Sequence, residues 1–308
     1  MNIYAPRALS VGLTGFLVLL TVTLLLAARA PYLGVNLAPG AQGISVLSVD
    51  PNGPAAAVLR PGDELLAINA DNTSLALLPS DSAYSLDTLN SHIKREAFFS
   101  REAQLWQAVH AERVGFRVLR GAQILDVHLQ PAEDRRLNHL SGVFWYQLIC
   151  ASLIMLLSVM TYAFATHERG PQLYALAGTS IAMAIMACAI YSTRELAFSP
   201  MEFLVLARTH QLGMLLFVTF GSAMMWYYPT RLGRRSLVIW LPAAALLVGL
   251  IGYIYSADDI NHLVRLLFVS CFLLNVFLAY CQWRRTTDDP VQRARLKWLV
   301  SAWFIGIS

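Results

Sequence analysis

From Leu9 to Ala28 the chain carries no charged residue, and comparable apolar runs recur at Val143–Ala165, Leu173–Tyr191, Phe203–Tyr227, Leu237–Tyr255 and Val264–Cys281. A helix needs about 20 predominantly apolar residues to cross the hydrocarbon of a bilayer. The spacing of these runs therefore predicts a polytopic helical bundle. Composition agrees, with 56% hydrophobic and only 14% charged residues, where a soluble domain carries about 25% charged. A further run opens near Trp298 and reaches only Ser308. With it the expectation is about seven spans, the last of them incomplete, as in an isolated sensory part.

Charge sets the expected orientation. Arg7 precedes the first run, which reads as an uncleaved signal anchor because Pro31 directly follows the Ala28-Arg29-Ala30 triplet. Alternate loops then hold Arg169; Arg231, Arg234 and Arg235; and Arg284, Arg285, Arg293, Arg295 and Lys297. The other loops hold Arg194 and Glu195, or Asp258 and Asp259 without a Lys or Arg. Positive residues mark cytoplasmic loops, so the stretch between the first two runs is placed outside. The division is 1–30 for the cytoplasmic start and anchor, 31–136 for an external domain and 137–308 for the bundle. The net charge of +4 is small and unevenly spread, which speaks for membrane orientation and against a nucleic-acid partner.

Within 31–136 the pattern changes. Ile44, Val46 and Val49 point to a strand, Ala55–Leu59 to a short helix, and Pro61-Gly62-Asp63 to a tight turn in which Gly accepts positive φ. A second strand, Glu64–Asn69, follows. The sequence Gly53-Pro54-Ala55-Ala56, then Leu59-Arg60-Pro61-Gly62-Asp63, then Leu65-Leu66-Ala67-Ile68-Asn69 resembles a bacterial PDZ domain. By that resemblance Tyr32-Leu33-Gly34-Val35 is the carboxylate-binding loop, Val35–Leu37 enters the peptide-pairing strand, Arg101–Ala111 is the groove helix, and Phe116–Gly121 with Ile124–Leu129 closes the sheet. Ala70 stands where Gly is common, and Ser74–Ser100 is an insertion. The fold class expected is thus a mixed membrane protein, a helical bundle with a PDZ-like α+β domain between its first and second spans. A bound peptide would add a strand beside Val35–Leu37, with its carboxylate on the N–H groups around Leu33 and Gly34 and its last side chain near Leu105 and Val109. The alternative is a groove filled by the 74–100 insertion.

No catalytic constellation emerges. His167-Glu168 opens a zinc-protease motif, but Pro171 occupies the second His position. Gly178-Thr179-Ser180 lacks the closing Gly of a rhomboid-like serine site, and no His/Cys/carboxylate set has metal-ligand spacing. The four cysteines, Cys150, Cys188, Cys271 and Cys281, all fall in apolar runs, as small buried residues do. Arg208, His210, Gln211 and Arg265 lie near outer span ends, beside Glu195 and Asp258 of the adjoining loops. Ionisable groups at that depth need partners or water. Two readings stay open, a polar vestibule for ligand or coupling, and arginines that snorkel to the headgroups. Gln147 and Asn275 sit deeper, placed to hydrogen-bond across helices.

Asp289-Pro290-Val291-Gln292 has the chemistry of a helix start, a capping Asp followed by Pro at the first helical position. Pro290-Val291-Gln292-Arg293-Ala294-Arg295-Leu296-Lys297-Trp298 resembles a segment of bacterial sensor kinases of the ComP type, and the whole layout is similar to theirs. That resemblance implies the dimeric sensory part of a two-component histidine kinase in the bacterial inner membrane, its PDZ-like domain outside. An external signal, a secreted peptide as in quorum sensing or a protein carboxyl terminus, would act through a kinase domain beyond Ser308 on a response regulator. ATP and Mg would belong to that domain, with no cofactor in the present span. The competing expectations are a PDZ-linked intramembrane protease and a non-catalytic scaffold.

Overall fold

The computed structural model describes residues 4–70, 73–82, 92–111, 113–132, 135–164, 168–233, 237–254 and 258–305. It divides into two compact units, one of Thr21–Tyr146 with Ala187–Ala207, the other of Met1–Leu20, Gln147–Met186 and Arg208–Ser308.

The first unit is built on an antiparallel sheet. Strands β1 (Val35–Pro39), β2 (Ile44–Val49), β3 (Glu64–Ala70), β4 (Thr73–Ala76), β5 (Val114–Arg120) and β6 (Gln123–Leu129) run in the order β1-β2-β3-β5-β6, with β4 pairing β3. β1 is an edge strand, joined to β2 from Val35 opposite Val49 to Pro39 opposite Ile44. The alternation that marks a half-buried strand is plainest in β5, where Phe116 and Val118 are buried and Arg117 faces out. Arg117 pairs across the strand with Asp126 on the exposed face, where such a pair contributes little. Gly62 has φ +89°, the conformation expected for this turn.

The expected helix at Ala55–Leu59 is a single 3-10 turn, Pro54–Ala57. The groove helix is longer than its sequence signature: after α1 (Tyr4–Ala28), α2 runs His92–Val109. Part of the 74–100 insertion is therefore strand β4 and part is helix, while 83–91 lies outside the described residues. The core collects Ile44, Val46, Leu65, Ile68, Phe116 and Val118 from the sheet with Leu105 and Val109 from α2. Arg120 donates from Nε and Nη2 to Asp63 at 2.8 and 2.7 Å and from Nη2 to the Val58 carbonyl at 2.9 Å. It ties the end of β5 to the Pro61–Asp63 turn.

The second unit is helical. Its segments belong to α1, α3 (Gly142–Phe164), α4 (Arg169–Tyr191), α5 (Pro200–Tyr227), α6 (Leu241–Ile254), α7 (Asp258–Arg285) and α8 (Pro290–Ile305). Among the described residues five helices are long and apolar enough to cross a membrane: α1, α3, α4, α5 and α7. The expected span at Leu237–Tyr255 is instead a 3-10 turn over Leu237–Trp240 followed by α6 with 14 residues. Asn275 does bond across helices, donating to the Val218 carbonyl at 3.0 Å. Gln282 likewise donates to the carbonyls of Met225 and Thr230 at 2.8 and 2.6 Å. Such bonds hold helices together where apolar surface alone gives no preference between lipid and protein. Asp289 caps α8 as its sequence predicts, accepting from the N–H groups of Val291 and Gln292, both at 3.0 Å.

Candidate functional site

The loop Tyr32–Val35 enters the edge strand and presents consecutive N–H groups. Gly34 gives it this shape. Its φ is +80°, and a Cβ there would stand 2.8 Å from the Gly53 Cα. An L side chain at this φ costs about 1–2 kcal/mol, before the clash with backbone is counted.

Those N–H groups already have an acceptor. Leu33 N–H donates to Glu195 Oε2 at 2.6 Å, and the Gly34 and Val35 N–H groups also favour the charged form of that carboxylate. The next residue, Leu196, is 1% exposed and belongs to the same apolar cluster as Leu33, Val35, Leu105 and Val109. The segment 192–199, between α4 and α5, thus places a carboxylate in the loop and an aliphatic side chain in the pocket beside α2.

Two arginines, Arg135 buried and Arg194 nearly so, hold the segment in place. Arg194 donates from Nε and Nη2 to the two carboxylate oxygens of Glu102 at 3.0 and 2.8 Å, and from Nη2 to the Asp81 carbonyl at 3.0 Å. Phe198 N–H donates to the same carboxylate at 2.7 Å. Glu102 reaches this position because Phe98, Glu102, Leu105 and Val109 follow one another at helical spacing down one buried face of α2. Arg135 donates to the Thr193 carbonyl at 2.6 Å and sets Nη2 2.9 Å from Glu195 Oε1. Its guanidinium also lies 5.1 Å from the centroid of the Tyr32 ring, within range of a cation–π attraction. Behind it is a cavity of about 460 Å³ bordered by Tyr32, Asp50, Arg135 and His139. There His139 Nδ1 lies 2.6 Å from Asp50 Oδ2, which also accepts the Tyr32 O–H.

Burial lifts the Glu195 carboxyl to about 7 despite Arg135 and the three N–H groups. Burial also raises Glu102, against the pull of Arg194 and Phe198 N–H. A carboxyl that holds its proton more tightly in the docked state favours docking most strongly below its free value, and this contribution fades as pH rises through the docked value. For Glu195, faced by Arg135 and Tyr32, that window runs from 4.5 to about 7. Protection of the Leu33, Gly34 and Val35 amides, corrected for intrinsic exchange, is therefore expected to fall across it by up to about tenfold per pH unit. Rising protection would contradict this assignment. The opposite sign holds for Asp63: burial alone would raise it, but Arg120 and the Arg60 N–H hold it below 3.8. Its support for the fold is present above that value and is lost as pH falls through the depressed one.

Of the residues expected to line a groove, Leu33, Val35, Leu105 and Val109 belong to one buried cluster with Leu196, and Leu37 packs half-buried against it. The vestibule candidates are more scattered. Arg208 donates to Gln211 at 3.1 Å, one turn along α5. His210 Nδ1 lies 3.1 Å from the Ala184 carbonyl. Arg265 is exposed on α7, and the Asp258 side chain, like Arg234 and Arg235, lies outside the described residues. Glu195 is committed to Leu33 and Arg135. Sequence reasoning did not single out Arg135, Arg194, Glu102 or Leu196 for this site. Glu102 carried a signal, a carboxylate on the otherwise apolar stripe of the groove helix. Arg194 and Leu196 carried none beyond their place beside Glu195.

In comparisons with curated proteins and with solved structures, nothing matches the chain. The family model described as PDZ domain matches residues 23–83, which take in the Tyr32–Val35 loop and strands β1 to β4. The strand-rich unit of this mostly helical chain, with its several apolar helices long enough to cross a membrane, therefore contains a PDZ domain.

Proposed function

We propose that the chain is the sensory part of a membrane receptor of the two-component histidine-kinase type, with its PDZ groove on the external side and peptides as the signal. One observation carries the reading: the groove is engaged by the segment joining α4 to α5, two helices able to cross a membrane. A change at the groove is thereby a change at the ends of those helices, the kind of bistable element that moves a signal along a chain. Binding shifts such an equilibrium only through unequal affinity for its two states. The kinase assignment draws on the resemblance of the Pro290–Trp298 segment, and the orientation on the arginines of alternate loops.

The test uses membranes carrying the full reading frame and labelled ATP. Acid-labile, base-stable phosphate on the receptor is expected, at a level that changes several-fold when Glu102→Ala opens the groove. A product that takes no label would sink the kinase reading. A membrane-impermeant thiol reagent on intact cells is expected to label Asn72→Cys and to spare Arg231→Cys; the reverse pattern inverts the orientation.

A further inference from the structure

Besides adding a strand, a chain terminus in a PDZ groove is held at two places, backbone N–H groups for its carboxylate and a pocket for its last side chain. Segment 194–198 satisfies both without being a terminus. An internal residue has no free main-chain carboxylate, but a glutamate side chain can present one. Glu195 puts its carboxylate on the Leu33 N–H at 2.6 Å, where the Gly34 and Val35 N–H groups also favour its charge. Leu196, its neighbour, is buried in the apolar cluster that also holds Leu105 and Val109. The flanking residues fasten the segment to a single buried carboxylate, Glu102, through the Arg194 guanidinium and the Phe198 N–H. Phe198 itself is buried in a separate aromatic cluster with Phe98 and Phe203.

We infer that Arg194–Phe198 is an internal ligand of the PDZ groove, and that an external peptide enters by displacing it. This rests on the reading of the groove as a peptide site and adds what occupies it at rest. The geometry also names the displacing chemistry. It is a free terminal carboxylate, to take over the three N–H groups and Arg135, next to an aliphatic last side chain of about the size of leucine. The observed affinity for such a peptide is its intrinsic affinity reduced by the fraction of molecules whose groove is open. Docking thus sets the threshold of the receptor. Displacement would release Arg194 and Glu102 to water together.

The experiment uses the full chain in lipid nanodiscs, hydrogen exchange of the Leu33, Gly34 and Val35 amides, and a fluorescein-labelled octapeptide ending in Ala-Leu. The peptide is made as the free acid and as the carboxyl-terminal amide. In the wild type the three amides are expected to be protected and the acid to bind weakly. Arg194→Ala leaves every groove residue in place. It is expected to speed exchange at the three amides at least tenfold and to tighten binding of the acid at least tenfold, with no gain for the amide. Leu196→Ser, which empties the pocket, should give the same pair of changes and serves if Arg194→Ala fails to fold, as judged by the Phe116 and Val118 amides. Wild-type amides that exchange as fast as those of the variant would overturn the inference. So would freed amides without a gain in affinity, which would make the segment a structural tie. A kinase that labels with ATP while its groove amides are unprotected would keep the receptor reading and refute this one.

Discussion

Replacing Glu102 with alanine is expected to undock segment 192–199 while leaving the sheet folded. Glu102 is 1% exposed and accepts from Arg194 Nε, Arg194 Nη2 and Phe198 N–H. Without it the docked state would bury a guanidinium that is only 9% exposed, with the Asp81 carbonyl as its remaining recorded acceptor. Breaking one side of a buried ion pair costs about 3–5 kcal/mol, equivalent to roughly 10²- to 10⁴-fold in the docking equilibrium. Glu102→Gln keeps one acceptor oxygen and removes the charge, so it should fall between wild type and Glu102→Ala. Hydrogen exchange of the Phe198 and Leu33–Val35 amides measures the effect. If these stay protected in Glu102→Ala while Arg194 keeps its place, the ion pair is not the clamp.

Phe116→Ala is expected to act in the opposite order. The ring is 1% exposed on β5, whose residue 116 faces Ile68 of β3 across the sheet ladder. Truncating a buried phenylalanine costs about 3–5 kcal/mol, through lost transfer energy and the cavity left behind. The loss falls on the sheet itself, so the amides of β3 and β5 should lose protection first and the docked segment should follow, since its groove is made of the same core. The two substitutions separate the platform from its occupant. Selective loss of the groove amides in Phe116→Ala, with β3 and β5 unchanged, would mean that the cluster around Leu196 and the sheet core are independent.

Much of the platform was legible because its signals are local. Pro61-Gly62-Asp63 makes its turn wherever the chain goes next, and the alternation of β2 and β5 marks a buried face without reference to a partner. The apolar runs are equally local, and five of them are helices of spanning length. Sequence and structure differ in detail where length or neighbours mattered. Leu237–Tyr255 has the composition of a span but folds as a 3-10 turn and a 14-residue helix, with Pro242 near the helix start, where its missing N–H costs nothing. The groove helix starts at His92, well before Arg101. No local pattern shows that Arg120 pairs with Asp63, which lies 57 residues away.

The PDZ domain itself followed from sequence, since the turns and strands around Tyr32–Ala70 carry its pattern. Its occupant did not. Glu195 reaches Leu33 across 162 residues and Arg194 reaches Glu102 across 92. Periodicity and composition show which side of an element seeks burial and which charges need partners. They do not say which distant element supplies the cover, because that depends on the path of the intervening chain and on complementarity between surfaces that meet only once folded. The sequence by itself determined a PDZ platform among apolar helices; only the tertiary structure decided that a glutamate and a leucine from between two of those helices would fill it.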